Sequence, residues 1–95
     1  MNKSPTLEVW KFPIAIGRDV VIDMPEEAKI LTFQTQVDTP CLWVLANPAM
    51  RGQERRFRLY GTGHPIKEHI EQLEYIGSCQ TAGGGFVWHL FEVKK

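Results

Sequence analysis

Gly61-Thr62-Gly63-His64-Pro65 is the stretch of this 95-residue chain whose residue types could most directly do chemistry. Glycines leave backbone N–H groups open to an anion, and a loop placed after a strand can aim several of them at one oxygen-rich group. The stretch has no Lys-Ser/Thr to complete a P-loop, no third glycine of the dinucleotide fingerprint, and no βαβ pattern around it. The plain reading is a tight connection. The sharper one is that Gly61, Thr62, Gly63 and His64 contact a small ligand, with His64 adding a donor whose charge depends on pH near neutrality.

Arg51, Arg55, Arg56 and Arg58 place four of the five arginines within eight residues, next to that loop. Guanidinium forks suit phosphate and carboxylate. At about 3.3 Å per strand residue, Arg58 stands about 10 Å before Gly61, so Arg55, Arg56 or Arg58 is expected to supply charge to an anion held there. On a strand Arg56 and Arg58 share a face while Arg55 points the other way, so the three cannot line one groove. The bland alternative is a charged edge that resists pairing with other strands.

Other chemistry is thinly represented. His64, His69, His89, Cys41 and Cys79 are spread over separate segments without a zinc-type spacing, so no metal site is expected. Cys79 has no nucleophile elbow or family signature around it, and the only paired carboxylates, Glu26-Glu27, fall in a turn. No catalytic residue and no cofactor are expected. Trp43 and Trp88 lie inside apolar runs and read as core, whereas Trp10, beside Lys11, is the best candidate for an exposed ring that stacks on a planar ligand.

The elements that must position these residues are mostly strands. Runs rich in Val, Ile, Phe, Thr and Trp recur at 7–12, 19–24, 30–37, 41–46, 55–60, 75–81 and 86–93, with Pro, Gly, Asn or Asp between them. In 30–37 the residues Leu31, Phe33, Thr35 and Val37 alternate with polar ones. Residues 41–46 are apolar on both faces and are expected to be the most buried strand. Ile66, Ile70 and Leu73 recur at helical spacing, which predicts one short helix over 66–73. Ala82 and the Gly83-Gly84-Gly85 run turn the last two strands into a hairpin. The expected fold is a small antiparallel β-sandwich or open barrel of six or seven strands in a single domain, with Leu31, Phe33, Leu42, Trp43, Val44, Leu45, Phe57, Leu59, Trp88 and Leu90 in the core.

Composition bounds the function classes. Eleven Lys+Arg balance eleven Asp+Glu, so general nucleic-acid binding is not expected. Two cysteines are too few for a disulfide scaffold, residues 1–8 do not read as an export signal, and no run is long enough to cross a membrane. These readings point to the cytoplasm. Because the strand 41–46 needs cover on both faces, a homodimer is also expected.

The motifs Trp10-Lys11-Phe12-Pro13, Met24-Pro25, Ala28-Lys29-Ile30-Leu31, Cys41-Leu42-Trp43, Gly61-Thr62-Gly63-His64-Pro65-Ile66, Tyr75-Ile76-Gly77 and Val87-Trp88-His89-Leu90-Phe91-Glu92 follow one another across nearly the whole chain. In type and order this set resembles a family of small uncharacterised proteins of tailed bacteriophages and prophages. The resemblance implies a host-cell cytoplasmic setting and a non-enzymatic role, among which antagonism of a bacterial defence system is prominent; it brings no activity with it. Three readings follow. The chain sequesters a nucleotide-like anionic signal molecule, or it binds a host defence protein directly, or, least of the three, it is a small enzyme.

Overall fold

The computed structural model describes residues 6–95. Residues 1–5, part of the stretch read above for an export signal, lie outside the described residues. Seven strands form two antiparallel sheets: β1 (Glu8–Pro13), β2 (Asp19–Pro25), β3 (Lys29–Gln36), β4 (Thr39–Ala46), β5 (Gly52–Gly61), β6 (Leu73–Thr81) and β7 (Phe86–Val93). One sheet has the order β1-β4-β3 and the other β2-β5-β7-β6, so the architecture is a sandwich and not a closed barrel. No helix among the described residues is long and apolar enough to cross a membrane.

The core lies between the sheets. Phe57, Leu42, Leu90 and Val44 are fully buried, and Met24 and Phe33 nearly so. Strand alternation accounts for the inward sets Leu42, Val44 and Ala46 on β4 and Phe57 and Leu59 on β5. Burial of side chains of this size stabilises by about 1.5–3 kcal/mol each.

Three expected core residues sit elsewhere. A bulge between Ile30 and Thr32 leaves Leu31 without a register partner and sets Thr32 opposite Trp43. It brings Ile30 opposite Val44 and Phe33 opposite Leu42, while Leu31 is left 45% exposed. Trp43 and Leu45 alternate with the inward residues of β4 and so stand half-buried on the outer face of the three-stranded sheet. Beside them in register are Lys11 and Val9 of β1 and Lys29 of β3. The sandwich therefore covers one face of β4 and leaves the other partly open.

The predicted helix over 66–73 is replaced by an extended strap, residues 62–72, with one 3-10 turn at Ile70–Gln72. Ile66 and Ile70 remain 41% and 59% exposed, so the apolar periodicity has no surface to bury against and nothing offsets the cost of nucleating two helical turns. Leu73, the third periodic residue, begins β6. The strap joins β5 to β6 across the intervening β7, and it is held on the outer face of the four-stranded sheet. There Glu68 accepts hydrogen bonds from Arg58 Nε at 2.7 Å and from the Tyr60 hydroxyl. Lys94 N donates to Gln72 O at 2.7 Å. Tyr60, Leu73 and Phe91 form a second small core on this face.

Candidate functional site

The arginines of β5 are built into the fold. Arg55, with the parity of Phe57, points inward and forms a two-pronged pair with Glu92, from Nε at 2.6 Å and Nη2 at 2.7 Å; its Nη1 donates to Ala28 O at 2.6 Å. Arg58 lies on the opposite face between Glu68 and Asp19, 2.7 and 3.3 Å away. The side chains of Arg55 and Arg58 are only 16% and 18% exposed. Arg56 is open to solvent beside Glu54, and Arg51 pairs with Glu26. The expectation that these strand arginines charge the glycine loop is corrected on two grounds. Arg55 and Arg58 are occupied by carboxylates, and the face bearing Arg56 and Arg58 is not the one on which His64 lies.

Trp10 is corrected as well. It pairs with Val44 in register, turns inward, packs against the main core, and donates from Nε1 to Glu8 Oε1 at 2.7 Å. It lines a recess with Pro25 and Gly52 at the far end of β5. Nine strand residues, about 30 Å, separate Gly52 from Gly61. Trp10 and the glycine loop therefore belong to different places.

The glycine loop borders a cleft. The last register pair between β2 and β5 is Asp19 with Arg58, and β5 runs three residues further with β7 alone beside it. A cleft of about 300 Å³ opens where β2 stops. Ile16, Gly17 and Arg18 wall it on one side, and His64, Pro65 and Lys67 of the strap on the other; Leu59, Tyr60 and Trp88 form its floor. Ile14, buried and donating from N to Pro40 O at 2.8 Å, and Leu59 N, donating to Arg18 O at 3.0 Å, anchor the 14–18 wall.

Local geometry explains why these residue types stand in the loop. His64 N donates to Gly61 O at 3.0 Å, closing a turn in which Gly63 has φ +89°, a value that L side chains rarely adopt. The turn folds the His64 ring back over Gly61. A Cβ on Gly61 would lie 2.8 Å from His64 Cε1, so the glycine is required for the ring to sit there. The Gly61 N–H donates to His64 Nδ1 at 3.2 Å, and the ring meets Trp88 edge-on with centroids 6.4 Å apart. Trp88 in turn stacks on Phe86, which is 59% exposed. Thr62 departs to the other face, where its hydroxyl lies 2.8 Å from His89 Nε2.

Of the expected site residues only His64 lines the cleft; Gly61 and Gly63 form the turn that places its ring, Thr62 ties down the strap beside it, and Arg55, Arg56, Arg58 and Trp10 lie outside it. Arg18 and Lys67 are the cations that line it. Arg18 is the arginine outside the 51–58 cluster, and no spacing pattern marks either residue. Its side chain is 54% exposed, and its nearest carboxylate oxygen, Asp19 Oδ1, is 3.8 Å away, beyond hydrogen-bonding distance. Lys67 has no ion pair among the described residues.

The Glu68 carboxyl is held below its ordinary range by the hydrogen bond from Tyr60 and then by Arg58. Burial, followed by the bond to Glu68, pushes the Tyr60 phenol up. Burial also raises the Cys79 thiol, which opposes formation of the thiolate a nucleophile needs. Cys41 and Cys79 are both buried free thiols. Among the described residues no group of three or more His, Cys, Asp and Glu side chains is placed to hold a metal ion.

Comparison with known proteins yields a family and no function. No curated protein and no solved structure matches the chain. The model of a domain of unknown function, DUF7352, matches residues 5–95, and the chain belongs to that family.

Proposed function

We propose that this DUF7352 protein is a non-enzymatic binding protein whose ligand is a small anion of nucleotide type, held in the cleft between residues 16–18 and 64–67. The observation that carries this reading is the combination in one cavity of an aromatic and aliphatic surface (Trp88, Leu59, Ile16 and Pro65) with Arg18 and Lys67 and, among the described residues, no lining carboxylate. A ring finds apolar walls and an acidic group finds two cations. A volume of about 300 Å³ is at the small end of ligand sites, which favours a mononucleotide-sized molecule over a dinucleotide. Sequestration in a bacterial cytoplasm, as an antagonist of a defence signal, rests on the resemblance to phage proteins.

Calorimetry with nucleoside monophosphates tests the reading. Arg18→Ala and Lys67→Ala are each expected to cost about 1–3 kcal/mol of binding, the scale of a charge-assisted hydrogen bond, and to leave the thermal midpoint nearly unchanged. Absence of binding by the native protein, with no small molecule released on heating, would refute it.

A specific observation supports the second reading, direct binding of a host defence protein. On the outer face of the three-stranded sheet Val9 is 60% exposed and Trp43 and Leu45 are half-buried beside Lys11 and Lys29. The homodimer is proposed through the same face. Light scattering is then expected to give twice the 10.9 kDa chain mass, and Trp43→Lys to return the monomer.

A further inference from the structure

The His64 ring occupies space that the rest of the fold keeps open. Gly61 carries no side chain on the inner face, and its cross-strand neighbour there is Trp88. The exposed imidazole stands over that position, edge-on to Trp88 and only 2.8 Å from where a Gly61 Cβ would stand. What holds it is the Gly61 N–H bond to Nδ1, and that bond exists only while Nδ1 carries a lone pair. An imidazolium has no acceptor nitrogen. Protonation at Nδ1 therefore removes the tether and sets two N–H donors, that of Nδ1 and that of Gly61, facing each other.

From this we infer that His64 is a proton-released plug of the cleft: neutral, it stands in for the ring of the ligand against Trp88; protonated, it leaves that place and turns its positive charge to the bound anion. This deepens the proposed binding function and rests on it for the identity of the occupant. The surrounding charges agree with such coupling. The 14–18 wall presents Arg18, the strap presents Lys67, and β5 presents the neutral Tyr60; β7 presents Trp88, which does not titrate. Glu68, the nearest carboxylate on the strap, is engaged on the outer face by Arg58 and Tyr60. A third positive charge beside Arg18 and Lys67 is favoured once an anion has arrived, so uptake of the anion and of the proton support each other.

Two measurements separate the plug from the binding reading. In the free protein, NMR is used to follow the Gly61 amide and the His64 and Trp88 rings while pH is lowered from about 8 to about 5. The expected result is that the Gly61 amide moves with the His64 titration and that ring contacts between His64 and Trp88 are lost on the acid side. Gly61→Ala, whose added Cβ meets the imidazole, is expected to show the lost contacts at every pH while its spectrum stays dispersed. A Gly61 amide and a Trp88 ring indifferent to His64 protonation would overturn the plug, whatever binds.

In the second measurement adenosine monophosphate is titrated calorimetrically at several pH values. Wild-type affinity is expected to rise by up to about tenfold per unit fall in pH, the limit for one linked proton, and His64→Ala to abolish the dependence. Equal affinity for wild type across pH overturns the plug and leaves the binding site standing. Failure of adenosine monophosphate to bind wild type or His64→Ala counts against the binding reading, and the NMR titration still decides the plug.

Discussion

The β5 arginine cluster and the cleft at the end of the same strand differ in opposite directions from what their composition implies. The cluster is the densest charge in the sequence, yet Arg55 and Arg58 meet Glu92 and Glu68 and are largely buried. Among the described residues the cleft is lined by two cations, Arg18 and Lys67, from segments that look unremarkable, and both remain open to solvent or to a ligand. The difference shows that the number of charges in a segment says little about how many are available. Availability depends on whether carboxylates from distant parts of the chain arrive at the same place, and Glu92 and Glu68 come from β7 and the strap.

Arg55 gives the largest expected effect. If its pair with Glu92 and its bond to Ala28 O are structural, Arg55→Ala is expected to destabilise by about 1.5–3 kcal/mol in chemical denaturation and to leave ligand affinity unchanged. A loss below about 0.5 kcal/mol, or a selective loss of binding, would move Arg55 from the fold to the site.

Glu68 gives the next largest effect, with a pH signature. Because its carboxyl is held below the ordinary range in the folded state, its contribution is fully present above the unfolded-state pKa and is lost as pH falls through the lowered folded value. Tyr60 behaves in the opposite sense. Its raised phenol contributes below the ordinary tyrosine range, and that contribution is lost as pH rises through the folded value. Glu68→Gln is expected to cost about 1–2 kcal/mol near neutrality and to flatten the acid limb of the stability profile, as measured by urea unfolding at a series of pH values. An unchanged acid limb would show that the strap is not fastened by this carboxylate.

Arg56 is the smallest test. It is exposed, and its Nη2 lies 3.6 Å from Glu54 Oε1, so Arg56→Ala is expected to change stability by less than about 0.5 kcal/mol. The same substitution should leave binding of nucleoside monophosphates intact, because Arg56 stands on the outer face. A marked loss of affinity would bring the arginine cluster back into the site.

The seven strands and most of the inward positions were legible along the chain, because alternation at period two is a local property that survives in any sandwich. Phe57 and Leu59 opposite Arg56, Arg58 and Tyr60 follow from it directly, as do the turn glycines, since Gly63 answers to a backbone angle. The rest depends on contacts between segments distant in the chain. The bulge that turns Leu31 outward depends on the register of β3 against β4, and the strap in place of a helix depends on whether Ile66 and Ile70 find a surface. Of the candidate cleft, only His64 and the turn glycines Gly61 and Gly63 that place it were legible. Arg18 and Lys67 lie 49 residues apart, and they line one cleft because β2 begins only at Asp19, level with Arg58, while β5 continues to Gly61. That is a fact about two strands packed side by side, which the spacing of residues along one chain cannot encode.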